Sequence, residues 1–391
     1  MTEIFLTIFF ISVLLFFLGS GIWVALSMIG VSAIGMMLFT SRPVGDAMAT
    51  TIWGTSSSWT LTALPLFVWM GEILFRTKLS ENLFKGLSPW MQKLPGGLIH
   101  VNVVGCALFA AISGSSAATV ATVGKMSIPE LRKRKYPEKI LLGSLAGSGT
   151  LGLLIPPSII LIIYGVAVQE SIAKLFIAGI IPGIMIALIF MSYVIIWSLI
   201  NKKDMPKIIE QYSFLEKLKR SKQLLPVILL ILGVIGSIYT GIATATEAAS
   251  LGVVGALILS YFQKSLNLET FKSSLLGATK TSCMIAFILA GSTFLSLAMG
   301  FTGLPRNLAI WIQNLDLSPY VLIFVLMIFY IILGMFLDGI SAVVLTMAII
   351  EPMIRQAGFD MIWFGIFLVI VVEMAQITPP VGFNLFVLQG M

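Results

Sequence analysis

Two similar stretches of sequence, far apart in the chain, decide the fold. The first is Ser113-Gly114-Ser115-Ser116, which ends 40 residues before Pro156-Pro157. The second is Asp338-Gly339-Ile340-Ser341, which ends 38 residues before Pro379-Pro380. Each places a small polar turn and a Pro-Pro break inside apolar sequence. Lipid offers broken backbone no hydrogen bonds, so such breaks need protein or a water-filled cavity around them. Interrupted apolar segments at matching positions of two halves indicate the binding site of a secondary transporter.

The composition points to a membrane protein. Hydrophobic residues make up 58% of the chain and charged residues 10%, whereas soluble domains carry about 25% charged residues. A soluble multidomain enzyme is therefore excluded. Cys106 and Cys283 lie in apolar runs of different halves, which predicts small core residues and neither a disulfide nor a metal site. His100 is predicted to be an interfacial residue at the start of a helix.

The apolar segments can be followed along the chain as approximate membrane spans. They lie near 4–19, 22–40, 60–76, 98–127, 139–167, 173–200, 224–240, 243–262, 281–300, 319–352 and 361–390. The segments 98–127 and 319–352 exceed the roughly 20 residues of a single crossing, and a polar turn interrupts each. We expect both to be re-entrant hairpins. The Pro-containing segments 139–167 and 361–390 are then discontinuous helices whose unwound middle faces a hairpin tip.

The distribution of basic residues predicts the orientation. If the first hairpin enters from the cytoplasm, all but four of the 24 Lys and Arg residues fall on the cytoplasmic side. The exceptions are Arg42, Lys174, Arg306 and Arg355. The same path brings the second hairpin in from the opposite side. The halves are therefore predicted to be inverted repeats, with a periplasmic N-terminus.

The repeat extends beyond the two hairpins. Thr77-Lys78-Leu79-Ser80 parallels Thr302-Gly303-Leu304-Pro305 at an offset of 225, which also relates Ser113 to Asp338. The segments around 77–94 and 302–316 carry apolar residues at helical spacing and are expected to lie along the membrane surfaces as bracing arms. The first repeat is placed at 1–200 and the second at 224–391. A basic, flexible cytoplasmic linker is expected at 201–223.

The hairpin tips carry the predicted chemistry. Ser-Gly turns and Pro-Pro breaks leave hydroxyl and carbonyl oxygens unpaired, and hard oxygens suit a small hard cation such as Na⁺. Helix N-termini at the same breaks favour an anion between two cation sites. The candidate ligands of the first site are Ser113, Ser115, Gly152, Ile155 and Pro157. Those of the second are Asp338, Gly339, Ser341, Ala375, Thr378 and Pro380. The alternative is that Ser and Gly only permit close helix packing.

Four acidic residues fall in or near apolar spans, where an ionisable group indicates a functional site. They are Glu72, Glu247, Asp338 and Glu373. Only Asp338 lies on a proposed ligand turn. Glu247 is expected to have a structural role, by hydrogen bonding within the scaffold or to the broken helix. Glu72 and Glu373 lie near a span end or the break, which leaves their burial open.

Several motifs together carry a family resemblance. They are Gly147-Ser148-Gly149-Thr150-Leu151-Gly152-Leu153-Leu154-Ile155-Pro156-Pro157-Ser158, Ser113-Gly114-Ser115-Ser116-Ala117, Ala243-Thr244-Ala245-Thr246-Glu247-Ala248-Ala249 and Thr378-Pro379-Pro380-Val381-Gly382. The chain resembles, over nearly its whole length, the large membrane (M, DctM-type) subunit of tripartite ATP-independent periplasmic (TRAP) transporters, of the ion transporter superfamily. The resemblance implies an all-α elevator transporter that imports an organic acid with Na⁺ across the bacterial inner membrane.

The resemblance also implies partners and sites. The partners are a small four-helix membrane subunit and a periplasmic substrate-binding protein that delivers the solute, a C4-dicarboxylate or sugar acid. The family's first Na⁺ site would match Ser113, Ser115, Gly152, Ile155 and Pro157, and its second would centre on Asp338. Ser116, Ser341, Thr378 and Asn384 are candidate substrate contacts, or equally polar groups that pack helices. The second half stops about 30 to 35 residues short of the first, about one crossing, so a final helix is expected to be missing.

Two other functions stay open at this point. An ion or anion channel would use the hairpins as a static filter. An intramembrane enzyme has little support, because the chain has a single His and no Asp-rich cluster. Nucleotide hydrolysis is not expected, since the sequence lacks a Gly-rich phosphate loop that ends in Lys-Ser or Lys-Thr.

Overall fold

The structure is a computed structural model that describes residues 3–77, 79–206, 212–222, 224–305, 307, 310, 318–380 and 382–391. Its regular structure in these ranges is helical. Nineteen helices are described, with short 3-10 helices at Trp59–Thr62 and Lys202–Asp204. The helices are α1 (Glu3–Gly19), α2 (Val24–Phe39), α3 (Val44–Ser56), α4 (Ala63–Phe75), α5 (Leu79–Met91), α6 (Ile99–Ser113), α7 (Ser116–Lys133), α8 (Glu138–Gly149), α9 (Leu151–Leu154), α10 (Ile159–Val168), α11 (Ile172–Ile200), α12 (Phe214–Ser221), α13 (Leu225–Tyr239), α14 (Ala245–Phe262), α15 (Leu268–Thr302), α16 (Pro319–Gly334), α17 (Gly339–Gln356), α18 (Met361–Gln376) and α19 (Phe383–Gln389).

Many of these helices are apolar and long enough to cross a bilayer. Within the described residues five spans qualify, one of which, Glu138–Val168, combines α8, α9 and α10; seven qualify if each of two bent helix pairs counts as one span. One of the bent pairs joins α3 to the segment Trp59–Phe75 at 52°. The sequence placed a span only at 60–76 and missed α3, because the Thr and Gly residues of α3 lower its hydropathy.

The helices form two groups that pack on each other. The first group brings α2 and α4 against α15, and α4 against α14. The second group is built from α6 to α10 with α17, α18 and α19. Helix α4 also packs on α6 and α10, and α15 packs on α17, so that the first group supports both predicted hairpins.

Helix α15 is longer than the sequence predicted. The predicted span at 281–300 covers only its apolar part, whereas the helix runs unbroken for 35 residues from Leu268. Hydropathy falls in the first turns, but no proline interrupts them and the polar residues there are compatible with a helix. Cys283 on this helix is exposed, and the prediction that it is a core residue was wrong; Cys106 is buried.

The segment 201–223 is not wholly a free linker. It contains α12, which begins with a capping box formed by Ser213 and Glu216. Helix α12 packs on α5. The indole N–H of Trp90 donates to the Ser221 hydroxyl at 2.8 Å, and the ammonium of Lys217 lies 5.3 Å from the Trp90 ring centroid. Tertiary contacts with the first predicted arm therefore order this part of the segment.

The structure describes the first of the two predicted arms and little of the second. The first, at 77–94, contains the amphipathic helix α5, which packs on α6. The second, at 302–316, lies largely outside the described residues.

The two hairpin regions share a register that differs from the sequence match. Ser115 is the N-cap residue of α7 and Asp338 is the N-cap residue of α17, 223 positions later. The same offset relates the two Pro-Pro pairs, whose peptide bonds are cis in both halves. It also relates Pro129 inside α7 to Pro352 inside α17. The match of Ser113 to Asp338 at 225 was therefore wrong by two residues, since the structural counterpart of Asp338 is Ser115.

Candidate functional site

The first turn is a compact network of hydroxyl groups. Gly114 ends α6 in the left-handed conformation at φ 59°, which favours glycine. Ser113 Oγ and Thr119 Oγ1 lie 2.9 Å apart. The Ser115 carbonyl oxygen accepts from the Thr119 hydroxyl at 2.8 Å and from its amide at 3.0 Å. Thr119 was not among the predicted residues, although its position four residues after Ser115 in the first turns of α7 could have signalled it.

The first turn touches the broken helix directly. The Ile159 amide donates to the Gly114 carbonyl at 3.3 Å. A Cβ atom on Gly152 would lie 2.6 Å from the Ser115 carbonyl oxygen, and one on Gly114 would lie 2.8 Å from that of Pro157. The structure therefore brings together Ser113, Ser115, Gly152 and Pro157, four of the five residues predicted for the first cation site. The fifth, Ile155, lies in the break beside α11, where its side chain is 2.8 Å from the Cβ position of Gly183.

The second turn is built around a carboxylate. Asp338 Oδ2 accepts from the Ser341 amide at 3.1 Å and so caps α17. Gly339 and Ser341 are buried. A Cβ atom on Gly339 would lie 2.5 Å from the Gln376 side-chain nitrogen and 2.9 Å from Val372. This turn therefore packs on the last turns of α18.

The break in the second half is more open than the break in the first. Pro379 and Pro380 are exposed, whereas Pro156 and Pro157 are buried. The Thr378 hydroxyl donates to Met374 O of its own helix at 2.7 Å, and its amide donates to Ala375 O at 3.0 Å. Of the residues predicted for the second site, Asp338, Gly339 and Ser341 share the turn. Ala375 lies in the last turn of α18, and Thr378 and Pro380 belong to the adjoining break.

The two halves meet through reciprocal contacts at these elements. The Ser116 hydroxyl donates to Gln376 Oε1 at 3.0 Å. With the offset of 223, the counterpart of Ser116 in the second half is Gly339. The counterpart of Gln376 in the first half is Leu153. Leu153 Cδ1 does lie 3.4 Å from the Cβ position of Gly339. The counterpart pair in the other half is therefore also close in space.

Two buried side chains beside the turns have unpaired polar atoms. Asn384 on α19 is fully buried, and neither amide atom has a hydrogen-bond partner. Glu373 on α18 is 5% exposed, and both of its carboxylate oxygens are likewise unpaired. Buried polar groups normally have partners, so these atoms are candidates for contact with water, an ion or a ligand. Asn384 was among the predicted substrate contacts. The sequence left the burial of Glu373 open and missed Gln376. The surroundings of both residues are set by distant parts of the chain, which leave no local signal in the sequence.

The other two acidic candidates have structural roles. Glu72 forms an ion pair with Arg76, whose Nε also donates to the Ser273 hydroxyl at 2.9 Å. Glu247 is exposed at the start of α14, where Oε2 accepts from the Thr244 amide at 2.8 Å. Glu247 therefore has the structural role that the sequence predicted, at the start of the apolar helix Ala245–Phe262.

An open cavity of about 890 Å³ lies at one end of the molecule. Threonines dominate its lining, including Thr50, Thr51, Thr55, Thr60 and Thr244, and Glu170 is its charged residue. None of the predicted ligands lines it within the described residues.

Comparison with known proteins identifies the family. The family model described as "Tripartite ATP-independent periplasmic transporter, DctM component" matches residues 9–391. The chain belongs to the DctM family of tripartite ATP-independent periplasmic transporters. This family includes a C4-dicarboxylate TRAP transporter large permease protein of Pseudomonas aeruginosa, which is 34% identical over 91% of this chain and 82% of that protein. It also includes an isethionate TRAP transporter permease protein, DctMQ, of Oleidesulfovibrio alaskensis, which is 30% identical over 96% of this chain and 59% of that protein.

A solved structure supports the fold of this DctM-family chain. The Alcanivorax borkumensis YdaH transporter superimposes with a TM-score of 0.63 over 96% of this chain and 90% of its own. Sequence identity is 12%, so the likeness concerns the fold alone. As a DctM-family member with several apolar helices, the chain is a multi-pass membrane protein and a TRAP transporter large permease, and its relatives are named as permeases.

Proposed function

We propose that this chain is the membrane permease of a Na⁺-coupled importer of organic acids in the bacterial inner membrane. It receives solute from a periplasmic binding protein and works with a small membrane subunit. The substrate belongs to the C4-dicarboxylate or sugar-acid class. The observation that carries the proposal is the pair of broken turns, Ser113–Ser116 and Asp338–Ser341, each packed against a Pro-containing break in a chain of the DctM family.

The first turn fits a Na⁺ ion as cargo. The glycines at 114 and 152 let backbone oxygens of Pro157 and Ser115 occupy space that a Cβ atom would otherwise fill. The hydroxyls of Ser113 and Thr119 lie beside them, and rotation of their hydrogens would turn lone pairs towards a cation. Hard oxygen ligands of this kind suit a small hard cation. Asp338 would supply a charged oxygen to the second site, with main-chain oxygens of the 375–380 break around it.

The substrate anion would lie between the two cation sites. Ser116, Ser341, Thr378 and Asn384 remain its proposed contacts. The buried, unpaired amide of Asn384 supports this assignment, because an amide can donate to a carboxylate. The helix N-termini capped by Ser115 and Asp338 add partial positive charge nearby.

The inverted arrangement is supported by residues that lie together at one end of the molecule. Arg355 at the end of α17 donates to Val168 O at 3.0 Å and lies 3.8 Å from Glu170. Its counterpart at the offset of 223, Arg132, instead pairs with Glu138. Glu170 and Thr51 line the same cavity, and Thr51 also lines a smaller cavity with Arg42. Three of the four basic residues predicted outside, Arg42, Lys174 and Arg355, therefore belong to segments at this end.

The start of α1 lies at that end as well, because the ring of Phe5 is 6.4 Å from that of Phe39, close to Arg42 in the chain. This supports a periplasmic N-terminus. An elevator movement would slide the second group of helices, which holds both turns, along the first group, which includes α2, α4, α14 and α15.

Uptake into proteoliposomes tests the proposal. The chain is reconstituted with its small subunit and binding protein, and uptake of radiolabelled succinate and of radiolabelled sialic acid is measured with and without an inward Na⁺ gradient. We expect accumulation only with the gradient, and dissipating the gradient with a Na⁺ ionophore should stop it. Accumulation that is unchanged without Na⁺ would overturn Na⁺ coupling. Large currents that flow without the binding protein would favour the channel with a static filter.

A further inference from the structure

Helix α12, in the segment that joins the two halves, has an apolar face that the described part of the protein leaves exposed. Phe214, Leu215 and Leu218 are 67%, 75% and 50% exposed. They lie on one side of the helix, because their positions fall within about 100° of one another around its axis. An exposed apolar patch of this kind indicates a surface that meets another molecule or a membrane.

The adjoining side of α12 is held by α5. Lys217 is buried, and its ammonium lies 5.3 Å from the centre of the Trp90 ring. The Ser221 hydroxyl, four positions after Lys217, accepts from the Trp90 indole N–H at 2.8 Å. Trp90 also meets the ring of Phe214 edge-on, with centroids 6.2 Å apart. These contacts fix the rotation of α12 about its axis and so determine which side of it is left free.

Two lysines continue the apolar face by one turn. Lys219 lies four positions after Leu215, and Lys222 lies four positions after Leu218, so each lysine neighbours the apolar residue before it. Both lysines are exposed, and within the part of the chain that the structure describes neither forms an ion pair. The acidic residue of α12, Glu216, is engaged by the capping box at the start of the helix. The free charge beside the apolar face is therefore positive.

The apolar face of α12 continues into a helix that crosses the membrane. Helices α12 and α13 form the second of the two bent pairs, at an angle of 58°. Leu225, Leu229 and Leu232 of α13 are exposed and follow the helical spacing i, i+4, i+7. Because α13 crosses the bilayer, α12 is steeply inclined to the crossing direction. An amphipathic helix with lysines beside its apolar face lies in the membrane interface.

We propose that α12 binds anionic phospholipids. Phe214, Leu215 and Leu218 insert among the acyl chains, and the stems of Lys219 and Lys222 run along this apolar layer to bring their ammonium groups to the lipid phosphates. A headgroup with net negative charge, such as phosphatidylglycerol, is favoured over a zwitterionic one, because the zwitterion's own cation offsets its phosphate. Bound lipid and α5 together hold the segment between the two halves at the membrane surface.

Quenching of a fluorescent label by brominated lipids tests both parts of the proposal. Leu215→Cys is made with Cys283→Ser, because Cys283 is exposed whereas Cys106 is buried, and the new thiol is labelled with bimane. The permease and its small subunit are reconstituted into phosphatidylcholine vesicles with a minor share of phosphatidylglycerol, and either lipid carries the bromine on its acyl chains. We expect brominated phosphatidylglycerol to quench about fivefold more per molecule, the enrichment that one lysine near an anionic surface supports.

Matched variants assign the preference to α12. Lys219→Gln combined with Lys222→Gln should bring the quenching ratio close to one, while both lipids still quench the label. Lys133→Gln combined with Lys139→Gln removes the same charge from two exposed lysines outside α12 and α13, and should keep the fivefold ratio. A bimane label at Leu229→Cys on α13 should be quenched equally by the two lipids.

Four results would overturn the proposal. Equal quenching by both lipids at position 215 excludes an anionic preference, and no quenching by either excludes contact with the membrane. Quenching that appears only when the small subunit is omitted means that protein covers this face. Loss of the preference in both double variants means that net charge selects the lipid. Leu218→Cys provides the same measurement if Leu215→Cys does not fold, and none of these results depends on Na⁺ coupling.

Discussion

The two turn regions have the same framework and different chemistry. Each begins with an N-cap residue, Ser115 or Asp338, and packs on a helix that breaks at a cis Pro-Pro pair. The first turn is made of hydroxyl and backbone oxygens, and its prolines are buried. The second carries a carboxylate, and its prolines are exposed. A shared backbone plan therefore does not make the two sites equivalent.

Because of this difference, we expect the two halves to contribute differently to Na⁺ affinity and to stability. The first turn packs directly against the break, because the glycines at 114 and 152 have no side chains to hold the two backbone segments apart. Packing of this kind favours a preformed site. In the proposed cation sites, the second turn would supply the charged ligand beside the more accessible break, which favours an ion that enters from water. We therefore expect the second half to dominate Na⁺ affinity and the first half to dominate stability.

The largest expected effect is on Asp338. Asp338→Asn should weaken the apparent Na⁺ affinity about a hundredfold, since loss of a charged partner at a partly buried site costs about 3 kcal/mol. Ser115→Ala should weaken it less than about tenfold, because the loss is mainly a helix cap worth about 1 kcal/mol. Na⁺ titrations of thermal stability measure both. Equal effects of the two substitutions would contradict the proposed asymmetry.

The next effect is on packing at equivalent positions, Gly152 and Ala375. Gly152→Ala should destabilise the protein by about 1–3 kcal/mol, because the new methyl would lie 2.6 Å from the Ser115 carbonyl oxygen, a backbone atom that has little room to move. Ala375→Gly should cost about 1 kcal/mol through backbone entropy. Thermal unfolding in detergent distinguishes them. A neutral Gly152→Ala would show that the first turn is not closed by this contact.

A smaller effect concerns the hydrogen bond between the halves. A double-mutant cycle with Ser116→Ala and Gln376→Leu should give a coupling energy of about 1 kcal/mol, the usual net value for one hydrogen bond. Thr378→Val, which removes a hydroxyl that donates to its own helix, is the control and should not couple to Ser116→Ala. Unfolding free energies provide the measurement. Additive effects of Ser116→Ala and Gln376→Leu would mean that the hydrogen bond between the two side chains does not contribute to the free energy of unfolding.

The smallest effect is expected at the counterpart arginines, Arg355 and Arg132. Arg355→Gln should cost less than about 1 kcal/mol, since its side chain is 46% exposed and surface ion pairs contribute little. Arg132→Gln should leave stability unchanged, because its ion pair with Glu138 is half exposed to solvent. Melting temperatures at low and high salt test both. A larger effect for Arg132 would reverse the expected order.

The sequence predicted what depends on local chemistry. Glycine and proline act on their own backbone, so the turns at 113–116 and 338–341 and the breaks at the Pro-Pro pairs could be read directly. The helical spans follow from runs of apolar residues, and the family from the motifs around the breaks. These predictions need no knowledge of which helices touch.

The features that the sequence missed depend on distant partners. Gln376 matters because its side-chain oxygen accepts a hydrogen bond from Ser116. Glu373 matters because it is buried and, among the described residues, forms no ion pair with a basic side chain. The two-residue error in matching the halves arose because Ser113 and Ser115 have the same side chain, and only the helix cap distinguishes them. Helix α12 is positioned by Trp90, 131 residues from its partner Ser221.

The length of α15 constrains how the molecule can move. At 1.5 Å per residue its 35 residues extend about 52 Å, well beyond the roughly 30 Å hydrocarbon core. Arg42 contacts Phe301 near one end of α15, and Trp69 donates a hydrogen bond to Ser274 near the other end. The first group of helices therefore contacts α15 along most of its length. Between them, Ser292 donates to Val344 O of α17 at 2.6 Å. Carbonyl groups recur along α17 with the helical pitch, so any sliding of the second hairpin along α15 would pass through discrete registers, about 5.4 Å apart.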